Sequence, residues 1–135
     1  MLAWLLLMLS IFISLYDLRT KRIPNWVTLP LLIAGVIAQF PGTVELSFVC
    51  VALWSAWTMG WMGGGDAKLW MALLWMTPSE WTGEAIIVMF TTLFVTGLIQ
   101  LLWRSVRKQP GTGIQSPGAW RTIPFAIWLV WRHAY

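Results

Sequence analysis

The chain has one cysteine, one histidine and few charges, since Asp, Glu, Lys and Arg make up only 10% of its 135 residues. A single cysteine, Cys50, excludes an internal disulfide and any paired-cysteine zinc site, and is read as a small packing residue. A single histidine, His133, leaves no histidine cluster to hold a metal. No cofactor or metal is therefore expected. There is no internal repeat and no low-complexity tract. Gly111-Thr112-Gly113 is too short for a phosphate loop, and no lysine–hydroxyl pair follows it. Acidic residues are fewer than basic ones, five against nine: Asp17, Asp66, Glu45, Glu80 and Glu84 complete the set.

What fills the chain is apolar. Hydrophobic residues make up 59%, and mean hydropathy is +0.71. A soluble domain of this length cannot hide that much apolar surface, so lipid is the expected solvent. Charge-free windows run over Met1–Tyr16, Ile23–Val44, Leu46–Gly65, Leu69–Ser79, Ala85–Trp103 and Thr122–Trp131. The second, third and fifth are long enough for a hydrocarbon core of about 30 Å. The first is slightly short, and the fourth and sixth are weak alone. The expected fold is an all-α polytopic membrane protein, a single domain over residues 1–135 with six transmembrane helices. The N-terminal run lacks a basic flank and a small-residue cleavage site before Asp17, so it reads as a retained helix and not a signal peptide. Of the 12 tryptophans, Trp26, Trp61, Trp70, Trp81, Trp103 and Trp120 fall near predicted helix ends and are expected to anchor at the headgroups.

A formal charge of +4 raises the question of nucleic acid, but the placement of the basic residues answers it otherwise. With six crossings and the N-terminus outside, the inner side holds Arg19, Lys21, Arg22, Lys68, Arg104, Arg107, Lys108 and Arg121, and the outer side only Arg132. That is the positive-inside bias of a membrane protein, with lipid headgroups as the anionic partner. Without the fourth span the split becomes five against four, which is no bias, so six spans are preferred. All three glutamates then fall outside and both aspartates inside. The long polar stretch from Arg104 to Arg121 reads as a mobile inner loop.

The two aspartates carry the chemistry. Alone, each has an ordinary reading. Asp66, after the glycines of "GWMGGGDAKLW", fits a helix N-cap, and Asp17, in "SLYDLRTKRIPNW", sits four residues before Lys21 and fits a helix-end ion pair. Together they point further, because carboxylates at a membrane boundary are costly unless paired or protonated. Two carboxylates brought close share one proton, and such a pair can activate water and protonate a carbonyl. His133 falls on the outer side, so a serine triad at the inner face has no base. The glycines allow positive φ and close approach of an extended peptide along Gly63–Gly65. A small ion conduit or a non-catalytic membrane subunit are the alternatives. The first is disfavoured because ionisable residues stand only at the ends of the spans.

"GGGD" at Gly63–Asp66 resembles the GxGD motif of intramembrane aspartyl proteases, and "GGGDAKLW" resembles its form in type IV prepilin peptidases. "DLRTKRIPN" at Asp17–Asn25 is similar to that family's first-aspartate segment. The resemblance implies a peptidase of the bacterial inner (cytoplasmic) membrane that removes the basic leader from type IV prepilins or pseudopilins at the cytoplasmic boundary. It implies catalytic roles for Asp17 and Asp66, with Gly63, Gly65, Lys68, Pro24 and Asn25 as substrate-binding or motif support. Longer members carry an N-terminal zinc-binding extension. This chain begins with the helix bearing Asp17 and is similar to the short branch serving tight-adherence pili, for which no zinc is implied. Of a Pro-Phe-Gly-Pro-like stretch common in the family only Pro124-Phe125 is kept, and no role is carried over there. Tyr16-Asp17 is also similar to presenilin-type proteases, but their Pro-Ala-Leu motif is absent.

Overall fold

The computed structural model of the protein describes residues 1–20, 22–107 and 118–135. Among these, six α-helices are present and no strand: α1 (Leu2–Thr20), α2 (Asn25–Gln39), α3 (Val44–Thr58), α4 (Gly64–Trp75), α5 (Thr82–Arg107) and α6 (Ile123–Ala134). Short 3-10 turns precede α5 (Ser79–Trp81) and α6 (Ala119–Thr122).

Helix lengths depart from the charge-free windows in both directions. The first helix, expected to be slightly short, has 19 residues because it continues through Asp17 and Arg19 instead of ending at them. The second and third, expected to be long enough to span, have only 15 residues each. Their windows include Pro24, the Pro41-Gly42 turn and Gly60–Gly63, which break a helix without carrying charge. Gly42 and Gly60 have φ of 75° and 77°, a region closed to most side chains. The expected positive φ is thus at Gly60 and not at Gly63, whose φ is −65°. Two helical stretches, Ala3–Thr20 and Ser79–Trp103, are long and apolar enough to cross a membrane.

In α1 the buried residues Ala3, Leu6, Ser10, Ile13, Ser14 and Asp17 recur at steps of three and four, one stripe along the helix. Trp4, Leu5, Met8, Phe12, Leu15 and Leu18 on the remaining surface are exposed, and apolar all the same. Asp17 therefore stands on the core side of its helix, not in a loop. Three buried hydroxyls bond to a carbonyl one turn back: Ser14 donates to Ser10 O at 2.7 Å, Thr77 to Leu73 O at 2.9 Å and Thr96 to Thr92 O at 2.6 Å. Each removes a donor from apolar surroundings without a partner helix.

The core is built around α4, whose Ala67, Leu69, Trp70, Ala72, Leu73 and Leu74 are all buried. It packs along α2 on one side and against α3 on another, while α1 packs along α6. Trp70, expected as a headgroup anchor, is instead 1% exposed and meets the buried Phe125 edge-on with ring centroids 5.5 Å apart. Its position near a helix start misleads because α4 itself is central. At the α2–α4 contact a Cβ on Gly35 would lie 2.8 Å from Trp75 Cβ and 3.0 Å from its carbonyl carbon. Gly35→Leu should therefore destabilise the fold by about 1–3 kcal/mol, read as a lower Tm in detergent. An unchanged Tm would show that the two helices separate freely.

At one end of the bundle Arg132 on α6 pairs with Glu84 on α5 at 3.1 Å, and His133 stacks edge-on against Trp81 at 5.2 Å. Both aspartates, Lys68 and Arg121 stand at the other end.

Candidate active site

Asp17 and Asp66 reach the site from different directions. Asp17 lies in the last turns of α1 and is 4% exposed. Asp66 is in the first turn of α4. The expected N-cap role does not hold: the cap is Gly63, no side chain caps the helix, and Asp66 is the third residue beyond it. A carboxylate in a first turn still gains from the helix dipole. The proposed partner of Asp17, Lys21, lies outside the described residues, as do Gly111–Gly113 and most of the polar stretch around them.

What brings the two carboxyl groups together is a third segment. Ala119 N–H, at the entrance to α6, donates to Asp17 Oδ2 at 3.2 Å. Next to it, a Cβ on Gly118 would fall 2.7 Å from both Cγ and Oδ1 of Asp66. The carboxyl groups thus flank two consecutive residues of one buried peptide. Asp66 also lies within electrostatic range of Asp17 and of the Arg121 guanidinium. Arg121 donates through Nη2 to Gln100 Oε1 on α5, and its buried Nε has no hydrogen-bond partner among the described residues.

The motif residues fall into two groups. Lys68 Nζ donates to Asn25 Oδ1 at 3.3 Å, joining the start of α4 to the start of α2. Pro24 O accepts from the amides of Val27 and Thr28 at 3.2 and 3.3 Å and so begins α2. The glycines were expected to leave room for a peptide along Gly63–Gly65, but that space is largely taken. A Cβ on Gly64 would lie 2.7 Å from Trp57 Nε1, and one on Gly65 2.8 Å from Ile23 Cβ. At Gly63 the nearest atom is Asp66 Oδ2 at 3.5 Å, ordinary contact. Gly64 and Gly65 therefore serve helix packing, and only Gly63 leaves its side open.

Gly118, Ala119 and Arg121 were not marked as site residues by the sequence. Ala119 acts through its main chain and Gly118 through the lack of a side chain, so neither offers a chemical signature. The only trace is a glycine just ahead of an apolar helical run. Chemically, two carboxyl groups in electrostatic contact suit a shared proton, and with it acid–base work on a water and a carbonyl.

Residues 4–103 match the model of the type IV leader peptidase family, well over half of the chain. The chain belongs to the type IV leader peptidase family. No curated protein and no solved structure matches it. As a type IV leader peptidase it is a protease of a family of membrane proteins, and its apolar helices accord with that. The stretch matched to the leader peptidases contains Asp17, Pro24, Asn25, Gly63, Gly65, Asp66 and Lys68, and ends within α5. Gly118 and Ala119 lie beyond it.

Proposed function

We propose that this leader peptidase is an aspartyl endopeptidase in which Asp17 and Asp66 form the catalytic pair. Its substrate is the basic leader of a type IV prepilin or pseudopilin, cut at the cytoplasmic face of the bacterial inner membrane. The reading rests on one observation above the others: residues distant in sequence, on α1 and α4, place their carboxyl groups on either side of the Gly118–Ala119 peptide. In this reaction one carboxylate takes a proton from water as its oxygen attacks the scissile carbonyl. The other carboxyl protonates the carbonyl oxygen. When the C–N bond breaks, the proton first taken from water passes to the leaving amine, and the second carboxylate takes back its proton from a hydroxyl of the gem-diol as the new carboxylic acid forms.

The six-crossing topology with the N-terminus outside belongs to the same proposal. It is supported by the loop charges and by the meeting of Glu84 with Arg132 at the end of the bundle opposite the aspartates. A conduit would need ionisable groups at several depths. Here the buried polar side chains between the two ends are serine and threonine hydroxyls. Lipids are partners on the exposed apolar surface of α1, α3 and α5.

The test is to co-express the chain with a candidate prepilin in a host lacking its own leader peptidase and to follow leader removal on a gel. Conversion to the shorter form is expected. A prepilin set that stays uncut beside a membrane-inserted peptidase would overturn the assignment of substrate.

A further inference from the structure

The stretch entering α6 carries polar geometry that neither aspartate motif accounts for. Gly118 and Ala119 are both buried, and the 3-10 turn after them is fastened from within. Arg121 N–H donates to Gly118 O at 3.1 Å, and Thr122 Oγ1 donates to Ala119 O at 2.7 Å. Both carbonyls of the pair are therefore engaged by the turn, while the Ala119 N–H is left for Asp17 Oδ2. With Oδ2 held in this way, the orientation of the Asp17 carboxyl is set. On the neighbouring residue the absent side chain matters: the Asp66 carboxyl occupies the place a Gly118 Cβ would need. A single peptide unit thus defines the position of both acids.

Resting on the aspartyl reading above, we infer that the Gly118–Ala119 peptide is a positioning element of the catalytic pair. Its N–H orients Asp17, and its bare α-carbon sets how near Asp66 can come. Neither residue touches the substrate in this role. Their effect is on the geometry of attack, where a displacement of about 1 Å costs on the order of 100-fold in rate. The element is built from main chain and from a missing side chain, so it acts without any titratable group of its own.

The test uses the full chain in detergent or liposomes with a prepilin substrate, and reads kcat, KM and Tm separately. Placing an α-hydroxy acid at position 119 turns the Gly118–Ala119 amide into an ester and deletes the N–H while keeping the side chain. The expected result is a fall in kcat of about 100-fold with KM within about twofold of wild type. Ala119→Gly, which keeps the N–H, should retain far more of kcat than the ester. Gly118→Ala, which drives a methyl group into the Asp66 carboxyl, should lower kcat at unchanged KM and serves in its own right if the ester protein does not fold. The inference is overturned by wild-type kcat in the ester and Gly118→Ala proteins, by equal losses in the ester and Ala119→Gly proteins, or by a rise in KM alone. Equal losses would mark a packing role, and a rise in KM a substrate contact. Cleavage by Asp17→Asn would instead overturn the aspartyl reading itself. An inactive Asp17→Asn beside a silent ester overturns the positioning role only.

Discussion

Asp17→Asn and Asp66→Asn should each lower leader removal by about 10²–10⁴-fold, the usual worth of a positioned acid or base. The double variant should be little worse than either single one, because groups acting as one unit lose their function together. Asparagine is nearly isosteric and retains an oxygen that can accept the Ala119 N–H, so the bundle should still assemble. The assay pairs a gel of prepilin processing with the amount of peptidase in the membrane fraction. Near-normal processing by either variant, at normal insertion, would sink the two-aspartate mechanism. Loss of insertion together with processing would make the residues structural.

Gly65→Val should have the next largest effect, and for a mechanical reason. The valine Cβ would start 2.8 Å from Ile23 Cβ, an atom close to the backbone that cannot swing aside as a side-chain tip can. The first turn of α4 must then move away from the segment that joins α1 to α2. Asp66 is the very next residue and moves with it, while Asp17 is held from α1 and Ala119. Processing should fall about 100-fold, with a loss of about 1–3 kcal/mol in stability from overpacking. Gly83→Ala is the matched control, since a Cβ there meets nothing within 4 Å. A Gly65→Val protein with wild-type processing would show that the start of α4 has slack and that the closeness of Ile23 is incidental.

The helical class, the six α-helices among the described residues and the two aspartate segments were legible in the sequence because each leaves a local mark. Apolar runs mark helices, and a carboxylate in such a run is conspicuous. Helix ends were less legible. Pro24, Pro41, Gly42 and Gly60 stop helices without a charge, whereas Asp17 and Arg19 carry charge without stopping one. Asp17 looked like the start of a polar break, yet the stripe of Leu6, Ser10, Ile13 and Ser14 leads straight to it. The role of Trp70 was misjudged since nothing local says that α4 is the innermost helix. Gly118 and Ala119 were illegible for a deeper reason. A main-chain N–H is present at almost every residue, and only the fold decides which one meets a carboxylate.

The short helices have a consequence for the surrounding lipid. With about 1.5 Å of rise per residue, the 15 residues of α2 and α3 measure roughly 22 Å, and the 12 residues of α4 and α6 roughly 18 Å. Ordinary bilayer hydrocarbon is about 30 Å thick. Under the proposed six-crossing topology, α1 at roughly 28 Å is close to that thickness, α5 at roughly 39 Å exceeds it, and the other four fall short. The bilayer must pinch around the short side of the protein, at a modest energetic cost for each ångström of mismatch. Headgroups and their water are thereby drawn inward along the exposed face of α2, toward the end where Asp66 begins its helix. Hydrolysis in a greasy protein needs a route for water, and under the proposed topology a dent in the membrane supplies one.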